Sequence, residues 1–148
     1  MSTQPRSYRV LARDREPLLA FIVDALRESG CQIISCSPPT EAPFKLSFET
    51  PSGERIGVVA YAFRANSVVT RNRPADECRF QVKYGTKDGE LHEIWQDSAG
   101  LYVTLFLGID PERGIFVGAD PVLHNPTKFF ISVEFKEEHA QKCQERGW

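Results

Sequence analysis

Phe44-Lys45-Leu46-Ser47-Phe48-Glu49-Thr50-Pro51-Ser52-Gly53-Glu54-Arg55-Ile56-Gly57-Val58-Val59-Ala60-Tyr61-Ala62-Phe63 is the stretch that decides the fold class. Its first six residues alternate apolar and polar, the pattern of a strand with one buried face. Pro51-Ser52-Gly53-Glu54 is turn chemistry. Arg55 to Phe63 then runs as a second strand rich in Val, Ile and aromatics. A short Gly-containing loop joins the two, so they are expected to pair as an antiparallel hairpin.

Upstream, Ser37-Pro38-Pro39-Thr40-Glu41-Ala42-Pro43 holds three prolines and reads as a loop. Cys31 to Cys36 before it is a short strand candidate. Glu16 to Ser29 reads as an amphipathic helix. Leu18, Leu19, Ile22, Val23 and Leu26 recur at helical spacing. Asp14 fits the N-cap, Pro17 the first turn and Gly30 the position past the end. Residues 1–7 read as a disordered tail, leaving residues 8–148 as a single domain.

Downstream, Ser67 to Thr70 is a short strand candidate, and Arg71 to Glu77 a polar loop with a proline. Arg79-Phe80-Gln81-Val82-Lys83-Tyr84 alternates again, with the polar positions on one face. Leu101 to Leu107, Ile115 to Ala119 and Phe129 to Phe135 follow as strands, with a turn at residues 109–114. Glu137 to Arg146 reads as a polar helix closed by Gly147. The expectation is an α+β domain: a mostly antiparallel sheet of six to eight strands with an N-terminal and a C-terminal helix.

The chain has 148 residues, the usual size of one domain, with 41% hydrophobic and 26% charged residues, which places it among globular chains. No apolar run is long enough to span a bilayer, and Met1 to Arg6 lacks the apolar segment of a secretory signal. A cytoplasmic location without membrane association is therefore expected. The four cysteines, Cys31, Cys36, Cys78 and Cys143, lack zinc-site spacing and read as buried or half-buried free thiols. No cofactor is implied. The end at Trp148 directly after the last helix suggests a domain cut from a longer protein.

The net charge of −2 conceals an asymmetry. Between residues 64 and 87, Arg64, Arg71, Arg73, Arg79, Lys83 and Lys87 face only Asp76 and Glu77, for a local +4, while residues 88–148 carry five basic and eleven acidic side chains. A basic stripe is what phosphate contact requires. Amides within it, Asn66, Asn72 and Gln81, have the donor–acceptor pair that reads adenine, and arginine reads guanine. Arg64, Arg71, Asn72, Arg73, Arg79, Gln81, Lys83 and Lys87 are thus the candidate DNA-binding residues. The bland alternative is a solvated surface whose arginines pair with neighbouring acids. The loop Gly85-Thr86-Lys87-Asp88-Gly89 is expected to lie beside the Arg71 to Glu77 loop, with Gln81 at the centre of the site.

Asp76, Glu77, Gln81 and Lys83 also sketch the end of a metal-dependent nuclease motif, in which carboxylates hold a divalent cation and a lysine steadies the attacking water. The match is short, and no Asp stands on a preceding strand. His92, His124 and His139 are scattered without catalytic spacing, and His124 reads as a loop hydrogen-bonder. No motif in the chain assembles a catalytic constellation, so no catalytic or metal-binding residue is assigned.

The run Asn72 to Gly85, followed by Leu101 to Gly108, Gly118-Ala119-Asp120-Pro121 and Gly147-Trp148, resembles N-terminal domains of bacterial proteins of restriction-endonuclease type. The resemblance spans about half the chain. It implies a non-catalytic specificity domain of a restriction or phage-defence protein that docks on DNA, with cleavage elsewhere. Two other readings stand beside it. One is a protein-interaction or oligomerisation module, because Phe129, Phe130, Ile131 and Val133 put apolar groups on both sides of one strand. The other is the nuclease itself.

Overall fold

A computed structural model of the chain describes residues 4–5, 8–9, 12–67, 76–83, 91–128 and 130–147. In chain order the elements are β1 (Tyr8–Arg9), α1 (Ala12–Glu28), β2 (Gln32–Cys36), β3 (Glu41–Ala42), β4 (Phe44–Glu49), β5 (Arg55–Ser67), β6 (Glu77–Lys83), β7 (Leu91–His92), β8 (Tyr102–Asp110), β9 (Ile115–Ala119), β10 (Thr127–Lys128), β11 (Phe130–Lys136) and α2 (Glu137–Arg146). The class is α+β, with one helix near each end and a seven-stranded, mostly antiparallel sheet. Among the described residues no helix is long and apolar enough to cross a membrane. The expected tail lies mostly outside the described residues, as do most of the loop at 71–77 and the whole loop at 85–89.

β4 and β5 form the antiparallel hairpin, in register from Phe44 opposite Ala60 to Glu49 opposite Arg55. Thr50 closes its turn: the Glu54 amide donates to the Thr50 carbonyl at 2.8 Å and to Thr50 Oγ1 at 3.1 Å. β2 extends the sheet beyond β4, with a register shift between Ile33 and Ser35. Such a bulge blunts an edge strand against unwanted pairing.

β5 is the organising strand. It continues four residues past the expected end at Phe63, because Ala65, Asn66 and Ser67 find a partner in β6. Along residues 57–64 its other neighbour is β8, and this pair is parallel. Side-chain alternation reads burial and not strand direction, so the sequence could not reveal the parallel pair. β8 also runs on to Asp110, through residues expected to turn, because β9 pairs with it as far as Ile115 opposite Asp110.

The two faces of β5 belong to two cores. Val58, Ala60 and Ala62 pack with Leu18, Leu19 and Ile22 of α1, with Phe44, Leu46 and Phe48, and with Leu107 and Ile109. Val59, Tyr61, Phe63 and Ala65 pack with Phe80, Phe106 and Ile94, flanked by Trp95, Val117, Val133 and Phe135. The sheet thus folds on itself: β8 and β9 lie over β6 and β11, with the second core between them. Burying each large apolar side chain contributes about 1.5–3 kcal/mol. Two glycines permit the closest approaches. A Cβ on Gly108 would lie 2.4 Å from the Phe80 ring, and one on Gly57 2.8 Å from the Tyr102 ring.

α1 starts at Ala12, earlier than the capping signals indicate, so Asp14 lies in the first turn and Pro17 inside the helix. The extra turn carries Arg15, whose Nη1 donates to the Ala62 carbonyl and whose guanidinium sits 5.1 Å from the centre of the Phe63 ring. A tertiary contact therefore outweighs the local stop signal. At the other end Gly30 adopts φ 82°. Its amide donates to Arg27 at 2.9 Å, and the Cys31 amide to Leu26 at 2.9 Å, which satisfies two last-turn carbonyls. α2 matches its expected bounds and ends on Gly147, also left-handed at φ 86°.

Candidate functional site

β6 and β11 pair antiparallel over their whole length, with Glu77 opposite Lys136, Arg79 opposite Glu134 and Gln81 opposite Ser132. On the other side of β6, Arg79 stands opposite Asn66 of β5. The alternation in β6 places Cys78 and Phe80, both fully buried, toward the second core. Arg79 consequently lies on the outer face, half-buried between its two neighbouring strands. Gln81 and Lys83 occupy the positions two and four residues further along the same strand, opposite Ser132 and Phe130.

Arg64 is exposed at the far end of β5, and its Nη2 is 3.6 Å from Glu112 in the β8–β9 turn. Both partners are more than half exposed, so solvent screens the pair and it contributes little. Of the candidate residues, the fold brings Arg64, Arg79, Gln81 and Lys83 to adjoining strands. Arg71, Asn72, Arg73 and Lys87 lie outside the described residues.

The surrounding charge is mixed. Asp76 accepts an ion pair from Lys136 Nζ at 3.5 Å. Glu134 stands directly across from Arg79. The acids that could complete a nuclease motif are thus placed among basic neighbours, and among the described residues no group of three His, Cys, Asp or Glu side chains could hold a metal ion.

Arg15 belongs to this neighbourhood although nothing in its helical spacing marks it. Its bond to Ala62 spans 47 residues and sets a second cation two positions from Arg64 along β5. Only the packing of α1 on the sheet reveals it.

Behind the outer face lies a rigid joint. Arg113, in the turn after β8, donates from Nη1 to Asp110 Oδ2 at 2.7 Å and from Nε to Glu137 Oε1 at 3.2 Å, and Nη2 meets Glu137 Oε2. The hydrogen bonds to Asp110 and then to Glu137 push the Arg113 pKa still higher, so its charge is permanent. Asp110, buried, also accepts from the Glu112 and Arg113 amides at 3.1 Å each. Cys78 Sγ donates to Glu137 Oε2 at 3.4 Å, and the Glu137 amide donates to the Asp76 carbonyl at 2.7 Å. Burial raises the Cys78 pKa, reinforced by the hydrogen bond to Glu137. One ion cluster therefore ties β6, the β8–β9 turn and the start of α2 together. The sequence shows an acid-rich helix start but not its partners.

His124 stacks on Phe106, ring centroids 5.4 Å apart. Trp95 is half-buried against the second core, and its amide donates to Tyr61 Oη at 3.1 Å. The cysteines are free; Cys31 and Cys143 are half-buried and Cys78 is buried, but Cys36 is exposed, contrary to expectation, because β2 is an edge strand. Between β9 and α2 lies a cleft of about 880 Å³, lined by Ile115, Phe116, Val117, Phe135, His139 and Cys143 among others.

Neither a comparison with curated proteins nor one with solved structures gives a match. A family model described as methylase-associated X1 matches residues 56–148. The match begins inside β5 and runs through α2, so it takes in the outer face of β6 and β11, the ion cluster and most of the second core. It leaves out α1 and the β2–β4 edge. On more than half of its length, the chain belongs to the methylase-associated X1 family.

Proposed function

We propose that the chain is a DNA-recognition domain of a bacterial restriction-modification or phage-defence system, a specificity element without catalysis of its own. The observation that carries this reading is the family's association with methylases, which act on DNA in such systems, combined with the adjoining strands that carry Arg64, Arg79, Gln81 and Lys83. Arginine and lysine supply sequence-independent backbone contacts, and the amide and arginine heads supply base contacts. The Arg71-Asn72-Arg73 segment connects β5 to β6 and enters the groove in this reading. The acids Asp76 and Glu134 temper the field, so affinity rests on specific contacts more than on bulk charge.

The test is salt-dependent binding of the purified chain to duplexes, modified and unmodified. Replacing Arg71 and Arg73 together by Ala is expected to weaken binding on all sequences and to lessen the salt slope by about one unit per lost phosphate contact. Absence of any salt-dependent binding ends the reading.

A second reading, a protein-interaction module, draws on exposed apolar side chains. Leu101 just before β8, Val103 and Leu105 in β8, and Val122 and Leu123 in the turn at 121–124 are all exposed. Val133, in contrast, is packed against the second core. Light scattering with and without DNA separates the readings: a dimer indifferent to DNA favours the module.

A further inference from the structure

We propose that Arg79 is the anchor of an oxyanion site on the outer face of β6 and β11, beside the end of β5, taking a tetrahedral group of phosphate type. This names a ligand group for the face discussed above and rests on that reading only for the source of the phosphate.

A half-buried guanidinium has lost much of its hydration and needs compensating partners. Arg113 has them on three nitrogens, and Arg15 has a carbonyl and a ring. Arg79 does not. Its Nε is buried without a hydrogen-bond partner, the one such side-chain nitrogen or oxygen among the described residues. Glu134 lies directly across in register, yet among the described residues Arg79 makes no ion pair with it or with any other acid. Glu134 has a partner of its own, so among the described residues the Arg79 guanidinium is left without a counter-charge.

The surroundings fit that purpose. Phe80 and Cys78, fully buried on either side in sequence, fix the strand beneath Arg79. Strand alternation sets Arg79 on the face of β6 opposite Cys78 and Phe80, with β5 on one side and β11 on the other. Nε is enclosed in the structure; in the proposed site the side chain turns outward so that Nε and one Nη meet an oxyanion side-on, the fork geometry in which arginine binds phosphate. Glu134 disfavours a bare anion at low affinity and sharpens the requirement for a ligand that brings further contacts of its own. A phosphodiester in a strand of DNA meets that requirement; free phosphate meets it weakly.

The experiment uses the whole chain and the arginine side-chain Nε–Hε signals in NMR, with the Arg79 signal assigned from Arg79→Lys. Titration with inorganic phosphate is expected to shift the Arg79 signal, and a short duplex to shift it at concentrations at least about tenfold lower, as one charge-assisted fork implies. Arg79→Lys retains charge but lacks the fork, so its duplex affinity falls by about tenfold. Phosphate is also expected to raise the Tm of the natural chain and not that of Arg79→Gln, which reports the site without relying on DNA. A phosphate response without duplex binding upholds the oxyanion site and removes the DNA reading. Duplex binding that Arg79→Gln leaves unchanged, with the Arg79 signal unmoved by phosphate, upholds the DNA reading and overturns the site. A signal unmoved by both ligands overturns the site as well.

Discussion

Arg113 holds Glu137 across 24 residues with two nitrogens of one guanidinium, while its third nitrogen reaches the buried carboxylate of Asp110. This contact fastens the first residue of α2 to the β8–β9 turn. Charged partners of this kind contribute little net stability when intact, because desolvation offsets attraction, but removing one partner strands the other. Arg113→Met is therefore expected to cost about 3 kcal/mol, since Asp110 stays buried without a counter-charge. Glu137→Gln is expected to cost about 1–1.5 kcal/mol, because Glu137 is partly exposed and water can replace part of what is lost. Urea unfolding followed by circular dichroism measures both; equal costs would contradict the account.

Gly108 and Gly118 stand on neighbouring strands, yet they differ in what surrounds them. A Cβ on Gly108 would overlap Phe80, whereas one on Gly118 meets nothing within 4 Å. Phe80 is fully buried and has no room to retreat. Gly108→Ala is expected to destabilise by about 2–3 kcal/mol and Gly118→Ala to be near neutral. A neutral Gly108→Ala would mean that β6 and β8 do not pack face to face.

Asp97 sets the entry into β8. Burial acts to raise its pKa, but hydrogen bonds from the Ala99, Tyr102 and Leu101 amides together outweigh this and hold it below the usual carboxylate range. A depressed acid stabilises the fold above its unfolded pKa, and that contribution disappears as pH falls through the folded value. Wild-type Tm is therefore expected to fall on acidification more steeply than that of Asp97→Asn, which never carries the charge. Parallel acid profiles would refute the role given to those three amides.

Among the thiols, Cys36 is exposed and Cys78 buried. Partial desolvation by its neighbours raises the Cys36 pKa against the pull of Arg27, whereas burial and then the Glu137 hydrogen bond raise that of Cys78. A thiol alkylating reagent is expected to label Cys36 first and Cys78 only upon unfolding, because the thiolate is the reactive form and must be reached. The raised Cys78 value also has a sign for stability. The folded state holds its proton more tightly, so stability falls as pH rises beyond the ordinary thiol range. Mass spectrometry of timed alkylation in native buffer and in urea checks the order.

What the sequence determined by itself is what local pattern can carry. Alternation in Phe44 to Glu49 and the turn at Pro51 to Glu54 specify a hairpin, since strand pairing across a short loop needs no distant information. The apolar stripe of Leu18, Leu19 and Ile22 specifies a helix with one buried face, and Glu137 to Arg146 matches its bounds because Gly147 ends it locally. Tertiary structure decided the rest. Whether β8 runs parallel to β5 depends on how the chain returns across the sheet, which no alternation encodes. The first turn of α1 forms because Arg15 finds the Ala62 carbonyl, and the Arg113 joint forms because Glu137 arrives from 24 residues away. The candidate site divides in the same way. Arginines concentrated between residues 64 and 87 are visible in the sequence. That Arg79 stands half-buried opposite a glutamate it does not engage is a property of strand register and packing, and only these set the desolvation that makes its unpaired nitrogen costly.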